Sequence, residues 1–339
     1  MPKICNPKLW EKLGKNKTRC LICSHYCLIH SGKRGICGVR ENKKGKLYSL
    51  VYGKAIAVNI DPIEKKPFFH FLPGTKSLSV ATVGCNFRCD NCQNWSISQS
   101  PKLDKKEIAG EDWPPSKIVK MAMDNKCSSI SYTYTEPTVF AEYALETMKQ
   151  AKNYKLKNTW VSNGYMSAEC IELIAPYLDA ANIDLKSYQD KFYRTNCGGT
   201  LAPVLEAIKL LKKKNIWLEI TTLIIPGLTD DMRMLQKIAG FIHGELGVET
   251  PWHVLQFIPA YKLPHLTATS PETIKKICEM GHKAGLKYVY SGNLPGTYLE
   301  DTYCPKCRQL MIDRELYSVM RFDKNGKCAN CGESLNLIL

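Results

Sequence analysis

Seven short β-rich runs recur between residues 77 and 290, and helical patterns separate most of them. The runs are 77–83 (SLSVATV), 128–134 (SSISYTY), 158–162 (NTWVS), 181–186 (ANIDLK), 217–225 (WLEITTLII), 253–258 (HVLQFI) and 287–290 (KYVY). Apolar residues at helical spacing, such as Phe140, Ala144, Leu145 and Met148, mark a helix over 138–154. Similar patterns cover 168–178, 201–214, 231–246 and 271–285, with Asp230-Asp231 and Ser270-Pro271-Glu272 as helix starts. Strands alternating with helices predict parallel βαβ units. Six or seven of them predict a partial barrel of the (β/α)6 type, with chemistry at the C-terminal ends of the strands. An open doubly wound sheet is the competing arrangement.

The chain has 339 residues, enough for one full α/β core with small satellites. Four segments are expected: a cysteine-rich segment over 1–50, an extended connector over 51–76, the α/β body over 77–299, and a second cysteine-rich segment over 300–339. No apolar run reaches membrane-spanning length, and the lysine-rich start lacks the pattern of a secretory signal, so a cytoplasmic protein is expected. The formal charge of +15 is spread along the chain, with only short runs such as Lys212-Lys213-Lys214, and reads as a basic solvated surface. Nucleic acid is not the expected partner, and no membrane contact is expected.

Sixteen cysteines in a cytoplasmic chain point to metal rather than to disulfides. Eleven fall into three tight groups. The central group is Cys85, Cys89 and Cys92, a C-x3-C-x2-C loop that directly follows the first β run, with Gly84 at the turn. Three thiolates can hold three corners of a [4Fe–4S] cluster and leave the fourth iron for a small molecule. A structural zinc site wants four ligands instead.

On these residues the chain resembles the radical S-adenosylmethionine (SAM) superfamily. The resemblance implies a [4Fe–4S] cluster that cleaves SAM to methionine and a 5′-deoxyadenosyl radical, which abstracts hydrogen from a substrate. The family carries an aromatic before the third cysteine, where this chain has Asn91, and a Gly-Gly-Glu motif where it has Tyr134-Thr135-Glu136. Glu136 is then the acceptor for the methionine amino group. Asn163, in Ser162-Asn163-Gly164, and Asp184-Leu185-Lys186 are similar to motifs of glycyl-radical activating enzymes, with Lys186 toward the cofactor carboxylate. Glu219 and Thr221 stand where ribose contacts are usual. The ordinary readings are a helix-start charge for Glu136, an ion pair for Asp184 and Lys186, and a turn residue for Asn163.

The stretches Asp61-Pro62-Ile63-Glu64-Lys65-Lys66-Pro67-Phe68-Phe69-His70-Phe71, Gln93-Asn94-Trp95, Tyr132 to Pro137 and Pro251-Trp252-His253 closely resemble one subfamily, the AmmeMemoRadiSam system radical SAM enzymes, relatives of pyruvate formate-lyase activating enzymes. That resemblance implies an external one-electron donor and leaves the substrate open between a protein, a small metabolite and a nucleic acid. His70 and His253 are candidates for the substrate side, with a hydrogen-bonded core histidine as the alternative.

The C-terminal group pairs Cys304 and Cys307 with Cys328 and Cys331, two C-x2-C knuckles typical of a zinc ribbon. An auxiliary iron–sulfur site is the alternative. Forty residues of low apolar content need the metal to fold. The N-terminal group, Cys20, Cys23, Cys27 and Cys37, offers four thiolates to zinc or to an auxiliary cluster, with His25 as a substitute ligand. A non-enzymatic zinc-knuckle RNA-binding protein is the remaining reading; it would leave Cys85, Cys89 and Cys92 without a role.

Overall fold

The computed structural model describes residues 2–103, 108–294, 296–315 and 317–339. An eight-stranded sheet forms its centre. We number its strands β1 (Ala57–Pro62), β2 (Lys76–Ala81), β3 (Ser129–Tyr132), β4 (Lys157–Ser162), β5 (Ala180–Asp184), β6 (Trp217–Ile224), β7 (Trp252–Gln256) and β8 (Val289–Gly292). The spatial order runs straight from β1 to β8, and β2 to β8 are all parallel. A doubly wound sheet would reverse its strand order part-way. This one never does, so the winding is that of a barrel, and β1 and β8 remain unpaired with each other: the barrel is partial.

All seven predicted β runs are strands within a few residues of their expected bounds. β1 was not expected. It lies in the segment read as a connector and pairs antiparallel with β2, from Ala57↔Ala81 to Pro62↔Lys76. Its burial does not alternate: Asn59 and Ile60 are exposed and Asp61 is buried, which leaves this edge strand little apolar signal. β3, an interior strand, and β8, at the other edge, are buried at every position, as expected for parallel strands covered on both faces.

The helices are α1 (Pro115–Asp124), α2 (Ala141–Asn153), α3 (Ala168–Ile174), α4 (Leu201–Lys213), α5 (Met232–Phe241) and α6 (Pro271–Lys283). Caps fix their starts: Ser167 accepts from the Cys170 amide, Asp231 from Met234 and Ser270 from Thr273. α1, absent from the sequence reading, begins on Pro114-Pro115 with no side-chain cap. Among the described residues no helix is long and apolar enough to cross a membrane.

Residues 63–72 cross the N-terminal ends of β5 to β8. The Phe69, His70 and Phe71 amides all donate to the Glu219 carboxylate of β6, at 2.9, 2.9 and 3.2 Å. The C-terminal segment docks on the same stretch. Arg314 donates to the Phe69 carbonyl at 2.8 Å, and the Ile338 amide donates to His70 at 2.8 Å. The N-terminal segment forms two small antiparallel sheets. It is tied to α2 by a buried ion pair between Arg40 and Glu142.

Candidate active site

A cavity of about 710 Å³ opens at the C-terminal ends of the parallel strands. Its wall on the β2 side is the cysteine loop. Gly84 has φ of 101°, and a Cβ there would meet a Val39 methyl at 2.7 Å, so only glycine makes this turn. The Phe87 amide donates to Cys85 Sγ at 3.3 Å, and Cys92 Sγ lies 3.3 Å from Ser98 Oγ. The loop is pinned from the far side: the Arg88 amide donates to the Cys197 carbonyl at 2.8 Å and the Asp90 amide to Asn196 at 3.1 Å. Asn91 accepts from the Asn196 side chain at 2.8 Å. Phe87 takes the apolar role, packed on Tyr165 and Tyr193.

Cys85, Cys89, Cys92, Glu136, Asn163, Asp184, Lys186, Thr221 and His253 all line the cavity. Glu136 is buried, and its oxygens accept from the Thr138 amide and hydroxyl, the Ser162 hydroxyl and the Asn163 amide. Burial pushes its carboxyl up, against those hydrogen bonds. It starts the helical turn at Pro137 and braces Asn163, and its Oε2, on the cavity wall, takes one donor. Asn163 in turn donates to Asn86 Oδ1 at 2.7 Å, next to Cys85. Glu219 departs from the sequence reading. It does not line the cavity, and five donors consume it: three amides of the 69–71 stretch, Trp217 Nε1 and His253 Nε2. A ribose contact is not available to it. Thr221 does face the cavity while donating to Asn182 Oδ1 at 2.7 Å.

Asp184 and Lys186 form an ion pair at 2.8 Å. Burial would lower Lys186, but Asp184 and the neighbouring Cys89 thiol outweigh it and hold the ammonium charged. His70 and His253 part company. His70 is wholly buried with both ring nitrogens partnered, by the Asn336 carbonyl at 3.1 Å and Tyr290 at 2.6 Å. Burial pushes it down to about 4, and it is a core histidine. His253 keeps Nε2 on Glu219 at 2.7 Å, and its Nδ1 has no partner among the described residues.

The sequence reading missed Lys66. It lines the cavity at only 2% exposure, 2.8 Å from Asp61, with its ammonium over the Tyr134 ring. Burial pushes it down to about 8. Its doublet Lys65-Lys66 was visible in the sequence, but nothing local says which lysine turns inward.

The flanking groups differ in spacing. Cys304 and Cys331 lie 3.6 Å apart, as do Cys307 and Cys328. Among the described residues this is the one group of three or more metal-ligand side chains whose donor atoms all fall within 4.8 Å. Cys20, Cys23, Cys27 and Cys37 are wider. His25 is no substitute ligand as placed, because its Nε2 meets the Asn86 carbonyl at 2.9 Å.

Residues 79–238 match the family description "Radical SAM superfamily". Over 333 residues the chain is 45% identical to an uncharacterised protein of Methanocaldococcus jannaschii, covering 97% of this chain and 98% of that one. The chain belongs to the radical SAM superfamily. It is an enzyme, with relatives among the activases: it is 22% identical over 220 residues to the pyruvate formate-lyase-activating enzyme of Clostridium pasteurianum, covering 60% of this chain and 89% of the relative. Streptococcus suis SuiB bound to SAM shares the fold at a TM-score of 0.50 and 12% identity, over 66% of this chain and 52% of that one. Membership in this radical SAM family implies a [4Fe–4S] cluster and SAM. The residues fit them: three thiols, Asn163 and the Asp184–Lys186 pair converge on one cavity, and its volume is in the range of a cofactor pocket.

Proposed function

We propose that the enzyme binds a [4Fe–4S] cluster through Cys85, Cys89 and Cys92 and SAM beside it, and abstracts hydrogen from a substrate at the far wall of the same cavity. The observation that carries this is the convergence of the three thiols with Asn163, Asp184 and Lys186 at the C-terminal ends of β2, β4 and β5. When bound, the cluster and SAM supply a 5′-deoxyadenosyl radical by one-electron cleavage. The chain's own residues do the positioning. Lys186 offers a charged ammonium to a carboxylate, Asp184 an acceptor to an amino group, and Asn163 fixes the loop through Asn86. Thr221 is the ribose-side group. The opposite wall, with His253 Nδ1 and Lys66, faces the substrate.

The substrate is a polypeptide in this proposal, as suggested by the activase relatives and the +15 charge. A cavity of about 710 Å³ shared with SAM admits one residue of an extended loop, not a folded domain. The motif resemblances support placing the chain in the AmmeMemoRadiSam system. At the C-terminus, four sulfurs in 3.6 Å pairs support one tetrahedral zinc, whose Zn–S distance of ~2.3 Å puts sulfurs ~3.8 Å apart. Anaerobic protein with reconstituted cluster, SAM and dithionite should give 5′-deoxyadenosine and methionine, and Cys89→Ala neither. A fully loaded wild-type protein yielding no 5′-deoxyadenosine would sink the reading. An acidic polypeptide substrate should raise the rate and, deuterated at the reacting residue, pass deuterium to 5′-deoxyadenosine, read by mass spectrometry.

A further inference from the structure

The N-terminal quartet lies against the back of the cluster loop. A Cβ on Gly84 would sit 3.1 Å from the Cys37 carbonyl, and one on Gly38 would sit 2.9 Å from the Pro101 backbone. Residues 37–39 thus wedge between the turn that starts the loop and the helical turn that ends it. His25, between Cys23 and Cys27, reaches the Asn86 carbonyl at 2.9 Å. Lys102 joins the two sites. Its ammonium donates to the Phe87 carbonyl at 2.6 Å. One cation therefore ties the loop of Cys85, Cys89 and Cys92 to the helical turn on which Gly38 packs.

The four N-terminal thiols lie within eighteen residues of chain, Cys20, Cys23 and Cys37 buried and Cys27 half-buried. The Cys20 amide donates to the Cys27 carbonyl at 2.9 Å, closing the knuckle. Yet the quartet is not drawn together to single-ion spacing, as Cys304, Cys307, Cys328 and Cys331 are. It shares its wider spacing with Cys85, Cys89 and Cys92. Thiolates on separate irons of a cluster stand farther apart than thiolates on one ion.

We propose that Cys20, Cys23, Cys27 and Cys37 hold a second iron–sulfur cluster that relays the electron to the cluster of Cys85, Cys89 and Cys92. This rests on the radical SAM reading of the central site. The relay takes one electron from a low-potential one-electron donor, passes it to the central cluster and returns to its oxidised form, with no bond made or broken. The electron arrives at Cys27, the half-buried member, flanked by exposed Tyr26, Leu28 and Ile36.

The test uses the full chain, reconstituted anaerobically with iron and sulfide. In the triple variant C85A/C89A/C92A we expect about four iron and four labile sulfide per chain, or about two of each, with a reduced EPR signal that SAM does not change. Wild type should carry this in addition to a SAM-responsive signal. Cys27→Ser should abolish the SAM-independent signal and keep the other. It should slow 5′-deoxyadenosine formation at least tenfold with a flavodoxin system, and much less with dithionite, which reduces the central site directly. Wild type holding a single cluster and two zinc ions overturns the proposal, and so does a triple variant without labile sulfide; wild-type stoichiometry decides alone if the triple variant does not fold. Failure of the central reading has a different mark, a wild-type signal indifferent to SAM.

Discussion

Cys20, Cys23, Cys27 and Cys37 belong to the same continuous core as the parallel sheet, whereas Cys304 and Cys328 close a small core of their own with Met311, Ile312 and Leu335. Four cysteines at each end of the chain thus sit in different surroundings. At the N-terminus the apolar neighbours Leu9, Ile22 and Val39 are buried by the barrel itself, and the thiols sit where the central loop begins. At the C-terminus too little apolar surface is buried for the segment to hold without its metal. The lesson is that cysteine spacing reports a ligand set, while the core around it reports what the metal is for.

The largest expected effect separates the central triplet from both ends. Cys89→Ser should lower 5′-deoxyadenosine formation by at least about a thousandfold, as loss of the reacting cofactor's ligand requires, and leave bound zinc unchanged. Zinc lost together with activity would break the claimed independence of the two sites. Next, Cys328→Ser should release the zinc and strip amide-exchange protection from residues 302–321, while β2 to β8 stay protected. The local cost is expected to be several kcal/mol. Protection lost equally from the parallel sheet would show that the C-terminal core is not separate.

Glu219→Gln probes the seam between them, since Glu219 holds the stretch on which Arg314 and Ile338 dock. The change should cost about 3 kcal/mol in denaturant unfolding. Burial acts to raise the Glu219 carboxyl, and the His253 hydrogen bond, with the charge of His70 and the amides, brings it below the ordinary value. Its folded pKa is below the unfolded ~4.3, so its contribution is present above about pH 4.3 and fades as pH falls through the lowered value. The variant should therefore lose that part of the acid sensitivity. An unchanged acid midpoint would remove Glu219 from the seam. The smallest effect is expected at Lys66, pushed down to about 8 by burial against an unfolded value of ~10.4. The unfolded chain binds more protons in that window, so stability should rise from about pH 8 to about pH 10 and flatten in Lys66→Met. A slope that persists in the variant would place the titration elsewhere.

The β runs were legible because parallel strands buried on both faces are rich in apolar and β-branched residues, as in 217–224, while β1 was not, because an edge strand carrying Asn59 and Asp61 has no such run. The C-terminal cysteine set was legible because its two knuckles are local in sequence. Glu219 was misjudged for the opposite reason: its partners come from 150 residues away, as in Phe69. Lys66 and His253 acquired their standing in the same way, from what was left unpaired once the chain closed around them.

Sequence alone determined that this chain winds strands and helices in turn, and that three cysteines share one loop after the first parallel strand, since periodicity and loop spacing are local properties. Only the tertiary structure decided that the sheet stays a partial barrel, that residues 63–72 floor it, and which carboxylates remain free. Those outcomes depend on which buried donors and acceptors meet, and a buried polar group takes the partner the packing brings to it.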